Sequence, residues 1–138
     1  MQANEAEKLS EAEARKIVDE AEAAFLAADV PRILAMFTPD VIVRYADFPE
    51  MRGLDALEKF LRARFARQKN YRLKKTFRAV TGNIIGDSWE GQWEDIKTGK
   101  KMVGRGMEFI TVVKGKAAIW EAVFNASEPD GAPATPLV

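Results

Sequence analysis

Glu121 and Asn125 stand four residues apart in the run 117–125, on the same parity as Ile119 and Val123. In a strand, alternate residues share a face, so this spacing places a carboxylate and an amide among apolar neighbours. Such groups are the polar anchors of a mostly apolar pocket, with Glu121 a catalytic candidate and Asn125 a ligand-binding one. Trp120, Ala122 and Phe124 occupy the opposite parity, and they line the cavity instead if that is the concave side. The alternation does not say which parity is concave. Arg105 lies between Gly104 and Gly106, where small neighbours leave room for a ligand or another backbone. Trp89 and Trp93 share one parity with Asp95, a surface for core packing or for stacking a ligand. Glu108 is a further candidate as a buried acid or an interface charge.

These groups matter because the chain contains neither cysteine nor histidine. That removes disulfides, thiolate nucleophiles, thiolate zinc sites, Ser-His-Asp triads and imidazole bases. Acid–base work falls to carboxylates, Tyr, Lys or water, and no acidic cluster has calcium-loop spacing. The reading calls for no cofactor and no metal. At 138 residues with 47% hydrophobic and 30% charged residues, the chain is expected to form one soluble domain. No apolar run approaches a bilayer span, and residues 1–9 lack a basic end followed by an apolar stretch. The cytoplasm is the expected location.

The net charge is zero, yet nine basic residues from Lys59 to Arg78, Lys75 among them, include no acid between them. Phe60, Phe65, Tyr71 and Phe77 interleave with them, the outline of a nucleic-acid footprint. Those aromatics also fit the apolar side of a helix and one parity of a strand, which leaves the cations as a solvated face. Nucleic acid is therefore not an expected partner, and a basic rim attracting an anionic small substrate stands beside it.

The elements that position these residues follow from punctuation and period. Ser10 and Glu13 have capping-box spacing ahead of a helix over 11–28. Asp29 and Pro31 open a second short helix, which the turn Thr38-Pro39-Asp40 ends. A strand over 41–46 stops at Phe48-Pro49, Arg52-Gly53 turns, and a third helix spans 54–67. The strand 71–80 carries Leu73, Phe77 and Ala79 on one parity. Turns at Gly82, Gly99 and Gly115 then separate long antiparallel strands, 84–95, 101–113 and 117–125, that are apolar on both parities. Residues 1–9 and the Pro- and Gly-containing tail 127–138 are expected to be flexible, leaving a domain of 10–126.

With Tyr71-Arg72-Leu73-Lys74-Lys75, Gln92-Trp93-Glu94-Asp95, Glu121-Ala122 and Asn125, and with Asp40, Arg44 and Asp47 around the first strand, this order resembles the nuclear transport factor 2-like cone. Within it the likeness is to a SnoaL-like branch. The resemblance implies an α+β fold: a cone-like curved antiparallel sheet, three N-terminal helices on its concave face and a pocket at the open end. It also implies a homodimer through the outer sheet face and a small, largely apolar ligand. Isomerases of this fold use an Asp near the end of the first strand as proton shuttle; here the matching position holds Tyr45, with Asp47 two residues on. Tyr45 and Asp47 join Glu121 as catalytic candidates, against a turn-capping reading of Asp47. Epoxide hydrolases of the fold use two Asp and an Arg, residue types that Asp47, Asp95 and Arg105 supply. The expected function is isomerisation, cyclisation, dehydration or hydrolysis by a carboxylate or Tyr; the alternative is a noncatalytic ligand-binding or dimerisation module.

Overall fold

In a computed structural model that describes residues 8–138, Ser10 opens the first helix, α1 (Glu11–Leu26). Its hydroxyl accepts from the Glu13 amide at 3.1 Å while the Glu13 carboxylate accepts from the Ser10 amide at 2.9 Å, the reciprocal box that the spacing predicts. Asp29 caps α2 (Val30–Leu34) by accepting from the Arg32 amide at 3.1 Å. Residues 1–7, most of the stretch expected to be flexible, lie outside the described residues.

The chain then enters β1 (Phe37–Tyr45), which begins before the turn expected at Thr38-Pro39-Asp40. Proline has no amide to give a ladder, and the pairing shifts register between Phe37 and Ile42, so Pro39 is carried in an irregular part of the strand. The turn expected at Arg52-Gly53 is partly a two-residue strand, β2 (Met51–Arg52), paired to β1. Gly53, at φ 86°, swings the chain into α3 (Leu54–Arg67).

Four long strands complete the chain: β3 (Gln68–Thr81), β4 (Ile84–Asp95), β5 (Lys101–Val113) and β6 (Lys116–Ser127). They form one sheet in the order β2-β1-β6-β5-β4-β3. Every neighbouring pair is antiparallel except β1 and β6, so the expected antiparallel sheet is mixed. Register shifts at Lys69/Arg72, Phe77/Ala79 and Thr111/Val112 bend the sheet over the helices. The shift after Phe77 turns Ala79 outward and lets Val80 pack inside with Phe77, which corrects the expected parity there. The result is the α+β cone expected, its helices on the concave face. Among the described residues no helix is long and apolar enough to cross a membrane. Residues 128–138 form no helix or strand.

Curvature decides the two-sided strands. Asp87, Trp89 and Gly91 of β4, Gly104 and Glu108 of β5, and Trp120 and Ala122 of β6 face the helices and are buried. The opposite parity stays open, with Met107, Phe109 and Val123 58%, 59% and 69% exposed. Beneath the sheet, Ile33, Val41, Val43, Leu57 and Leu61 are fully buried in one core cluster, and Ala14, Val18, Ile85 and Val112 form a second. Burial of this apolar face is the main force holding helices to sheet.

Candidate functional site

Four adjacent strands each send one hydrogen-bonding side chain to the same point under the sheet. Asp87 of β4 and Glu108 of β5 are direct cross-strand partners; Lys75 reaches them from β3 and Trp120 from β6. All four are buried. The Lys75 ammonium donates to Glu108 Oε2 and stands 3.8 Å from Asp87 Oδ1, while the Trp120 indole N–H donates to Glu108 Oε1 at 2.8 Å. Each Glu108 oxygen thus accepts a hydrogen bond. Asp87 Oδ1 has no hydrogen-bond partner. The backbone at Lys75 is fixed as well: its amide, on the free edge of β3, donates to the Glu22 carboxylate of α1 at 2.6 Å.

The electrostatics divide the two acids. Burial pushes the Asp87 carboxyl up, the neighbouring Glu108 charge pushes it further, and Lys75 opposes both, leaving it at about 9. Burial also works against Glu108, but the Lys75 charge and bonds from Asp87, Lys75 and Trp120 outweigh it and hold that carboxyl below its ordinary value. For Lys75, burial pulls the ammonium down, and the attraction of Glu108 and Asp87 reverses that to a net rise. At neutral pH the cluster is an ion pair beside a protonated acid.

This cluster borders a cavity of about 220 Å³ whose other walls include Val18, Phe25, Phe37, Ile85, Ile110 and Val112. Glu20, Ala35 and Lys116 form its exposed rim. A protonated acid, a carboxylate and an ammonium therefore stand together at the wall of an apolar space. Among the described residues no group of three or more acids could hold a metal ion.

A second cavity, about 460 Å³, is lined by Tyr45, Phe48, Phe60, Trp89, Trp93 and Phe124, with Arg64, Lys97 and the ion-paired Arg67 and Asp95 as its charged groups. Tyr45 packs at 5.1 Å from Trp120 and 5.0 Å from Phe124, so a wall of rings separates the two spaces. Burial raises the Tyr45 phenol above its ordinary value. Trp89 and Trp93 line this second cavity, as their shared parity allows.

The remaining candidates are elsewhere. Asp47 lies past the end of β1 in an exposed turn, so it does not share the inner face with Tyr45. Glu121 and Asn125 are on the outer face, where Glu121 pairs with Arg44 at 3.3 Å; the inner parity of β6 is that of Trp120, Ala122 and Phe124. Arg105 is exposed on the outer face beside Asn125, and both border a groove there. The room beside its glycines is taken by indoles: a Cβ at Gly104 would sit 2.9 Å from Trp93, and one at Gly106 2.9 Å from Trp89. Asp95 accepts two bonds from Arg67, at 2.6 and 2.9 Å, and one from Thr98 at 2.8 Å. Those bonds, against the cost of burial, hold its carboxyl far below the ordinary range. Asp47, Asp95 and Arg105 are therefore not brought together. Glu108 alone of the candidates belongs to the cluster. Lys75, read as part of a solvated face, is inside, and Asp87 was not singled out. The signal was available, since Lys75 shares the parity of Leu73, and Asp87 that of Ile85 and Trp89.

An open, curved sheet folded over three helices, with its ionisable groups at an apolar interior, defines the nuclear transport factor 2-like, ketosteroid isomerase-like class. Within that class the chain belongs to the SnoaL-like domain family, whose sequence model matches residues 18–120. No curated protein is significantly similar. Solved structures agree on the fold. A proposed polyketide cyclase from Xanthomonas campestris pv. campestris is 21% identical, with TM-score 0.76 over 83% of this chain and 91% of that one. An NTF2-like protein of unknown function from Burkholderia pseudomallei K96243 is 22% identical, with TM-score 0.74 over 85% and 92%. SalBIII, an epoxide hydrolase/cyclase-like enzyme of pyran ring formation in the polyether salinomycin, is 14% identical, with TM-score 0.77 over 86% and 98%.

Proposed function

We propose that the protein is a cofactor-independent acid–base catalyst of the isomerase or cyclase type, acting on a small, largely apolar carbonyl compound. The observation that carries this reading is the buried Asp87 at the cavity wall, kept protonated to about pH 9 next to the ionised Glu108. A substrate carbonyl bound beside Asp87 and Lys75 would take the Asp87 hydrogen bond over from Glu108 and gain a nearby positive charge, the arrangement that stabilises a developing oxyanion in a dry site. Glu108 would take the proton from the adjacent carbon while Asp87 passes its own to oxygen. The hydrogen bond between the two acids lets the proton return, so the cluster ends each cycle as it began. The family and its similar structures, a proposed polyketide cyclase and a cyclase-like enzyme among them, support chemistry of this kind.

The test is hydrogen–deuterium exchange next to the carbonyl of a compact apolar ketone such as 2-tetralone, followed by NMR. The protein should accelerate exchange over buffer, and Asp87→Asn should lose about 10²-fold or more of that acceleration. Exchange no faster than in buffer would refute the reading.

The working unit is proposed to be a homodimer. Met107 and Val123 are paired neighbours on β5 and β6, Phe109 and Ile84 continue the surface, and all four are exposed on the outer face. An apolar surface of this kind is ordinarily covered by a partner.

A further inference from the structure

Arg64 is held but not neutralised. It projects from the last turn of α3 into the second cavity, where its Nε donates to Gln68 Oε1 at 3.2 Å and its Nη2 to the Tyr71 hydroxyl at 3.1 Å. Both acceptors are uncharged. Among the described residues no carboxylate lies within ion-pair distance of it, and its Nη1 has no acceptor. Its neighbours differ: Arg62 is paired with Glu58 at 2.8 Å and Arg67 with Asp95 at 2.6 Å. What surrounds the Arg64 guanidinium is aromatic, with its carbon 5.7 Å from the Phe25 ring centre, 5.6 Å from Tyr45 and 5.6 Å from Tyr71. Ring faces stabilise a cation and orient it, but they leave its positive potential projecting into the cavity.

We infer that this second cavity is a binding site for a planar aromatic carboxylate, with Arg64 as its counter-ion. A guanidinium fork matches a carboxylate in geometry, and the pair gains strength where water is sparse. Trp89, Trp93, Phe48, Phe60 and Phe124 offer ring faces for the body of such a ligand, and 460 Å³ is ample for a bicyclic one. The site is independent of the proposed catalytic cluster, because the two cavities share no lining residue.

The probe is 2-naphthoate, titrated against the whole chain by calorimetry and by quenching of tryptophan fluorescence, since Trp89 and Trp93 line the site. Its neutral counterpart, 2-naphthalenemethanol, keeps the rings and removes the charge. Wild-type protein should bind the carboxylate at least about tenfold more tightly than the alcohol, and Arg64→Gln should abolish that preference. Asp87→Asn should leave naphthoate affinity unchanged. Equal affinity for the two probes in the wild type, or no binding of either, would overturn the assignment without any variant. Loss of naphthoate binding in Asp87→Asn, with Arg64→Gln unaffected, would move the ligand to the first cavity and overturn it as well.

Discussion

The Lys75 ammonium stands 3.8 Å from Asp87 Oδ1 yet gives its hydrogen bond to Glu108. One cation between two buried acids can neutralise only one of them, so the structure keeps Glu108 ionised and Asp87 protonated. That asymmetry separates a proton donor from a proton acceptor without a histidine. It is also a burden on stability.

The sign of that burden follows from linkage. The folded Asp87 titrates at about 9 against an ordinary 3.8. Between those values the folded protein holds a proton that the unfolded chain has released, so the contribution of Asp87 falls as pH rises through that window and is constant above it. Asp87→Asn keeps the shape and removes the titration. Its stability relative to wild type should rise with pH by up to about 1.4 kcal/mol per unit, read from urea unfolding at about pH 5, 7 and 9. Parallel curves would mean that Asp87 is ionised in the folded protein.

Lys75→Met should be far more damaging, because it leaves the Glu108 carboxylate buried without a counter-charge. A loss of about 3–5 kcal/mol is expected. Adding Glu108→Gln should recover most of it, since it removes that unpaired charge. A double variant no more stable than Lys75→Met alone would show that the loss comes from packing.

Gly106 tests the inner face by volume. A Cβ there would lie 2.5 Å from the Val123 carbonyl oxygen and 2.7 Å from the Phe124 Cβ, neither of which can retreat without moving β6. Gly106→Ala should cost about 1–3 kcal/mol, measured by thermal melting. At Gly86 the nearest atom is a Phe109 ring carbon at 3.4 Å, and that exposed ring can yield, so Gly86→Ala should be mild by comparison.

The outer face makes a separate prediction about assembly. Sedimentation equilibrium of the wild type should give twice the chain mass of 15.4 kDa, and Val123→Glu should give the single mass with its helical content intact. A wild-type monomer would refute the dimer and leave the catalytic reading untouched.

Local signals carried far into the fold. The capping box at Ser10, the cap at Asp29, and the strands Ile84–Asp95 and Lys101–Val113 could be read to the residue, because each depends on neighbours a few positions away. Trp89 and Trp93 were legible as ring surface for the same reason. The parallel contact of β1 with β6 was not, since the two pair across most of the chain's length.

The sequence by itself determined that this chain is a helix-led α+β domain, closed by long strands with two apolar parities and obliged to do any acid–base chemistry without thiol or imidazole. Only the tertiary structure decided which parity is inside. Alternation says which residues share a face, but bulges and docked helices choose the face that becomes concave. That choice sent Glu121 and Asn125 outward and Lys75 inward. Cross-strand register then set Asp87 against Glu108. A carboxyl's protonation answers to groups a few ångströms away in space, and for Glu108 those groups come from three other strands.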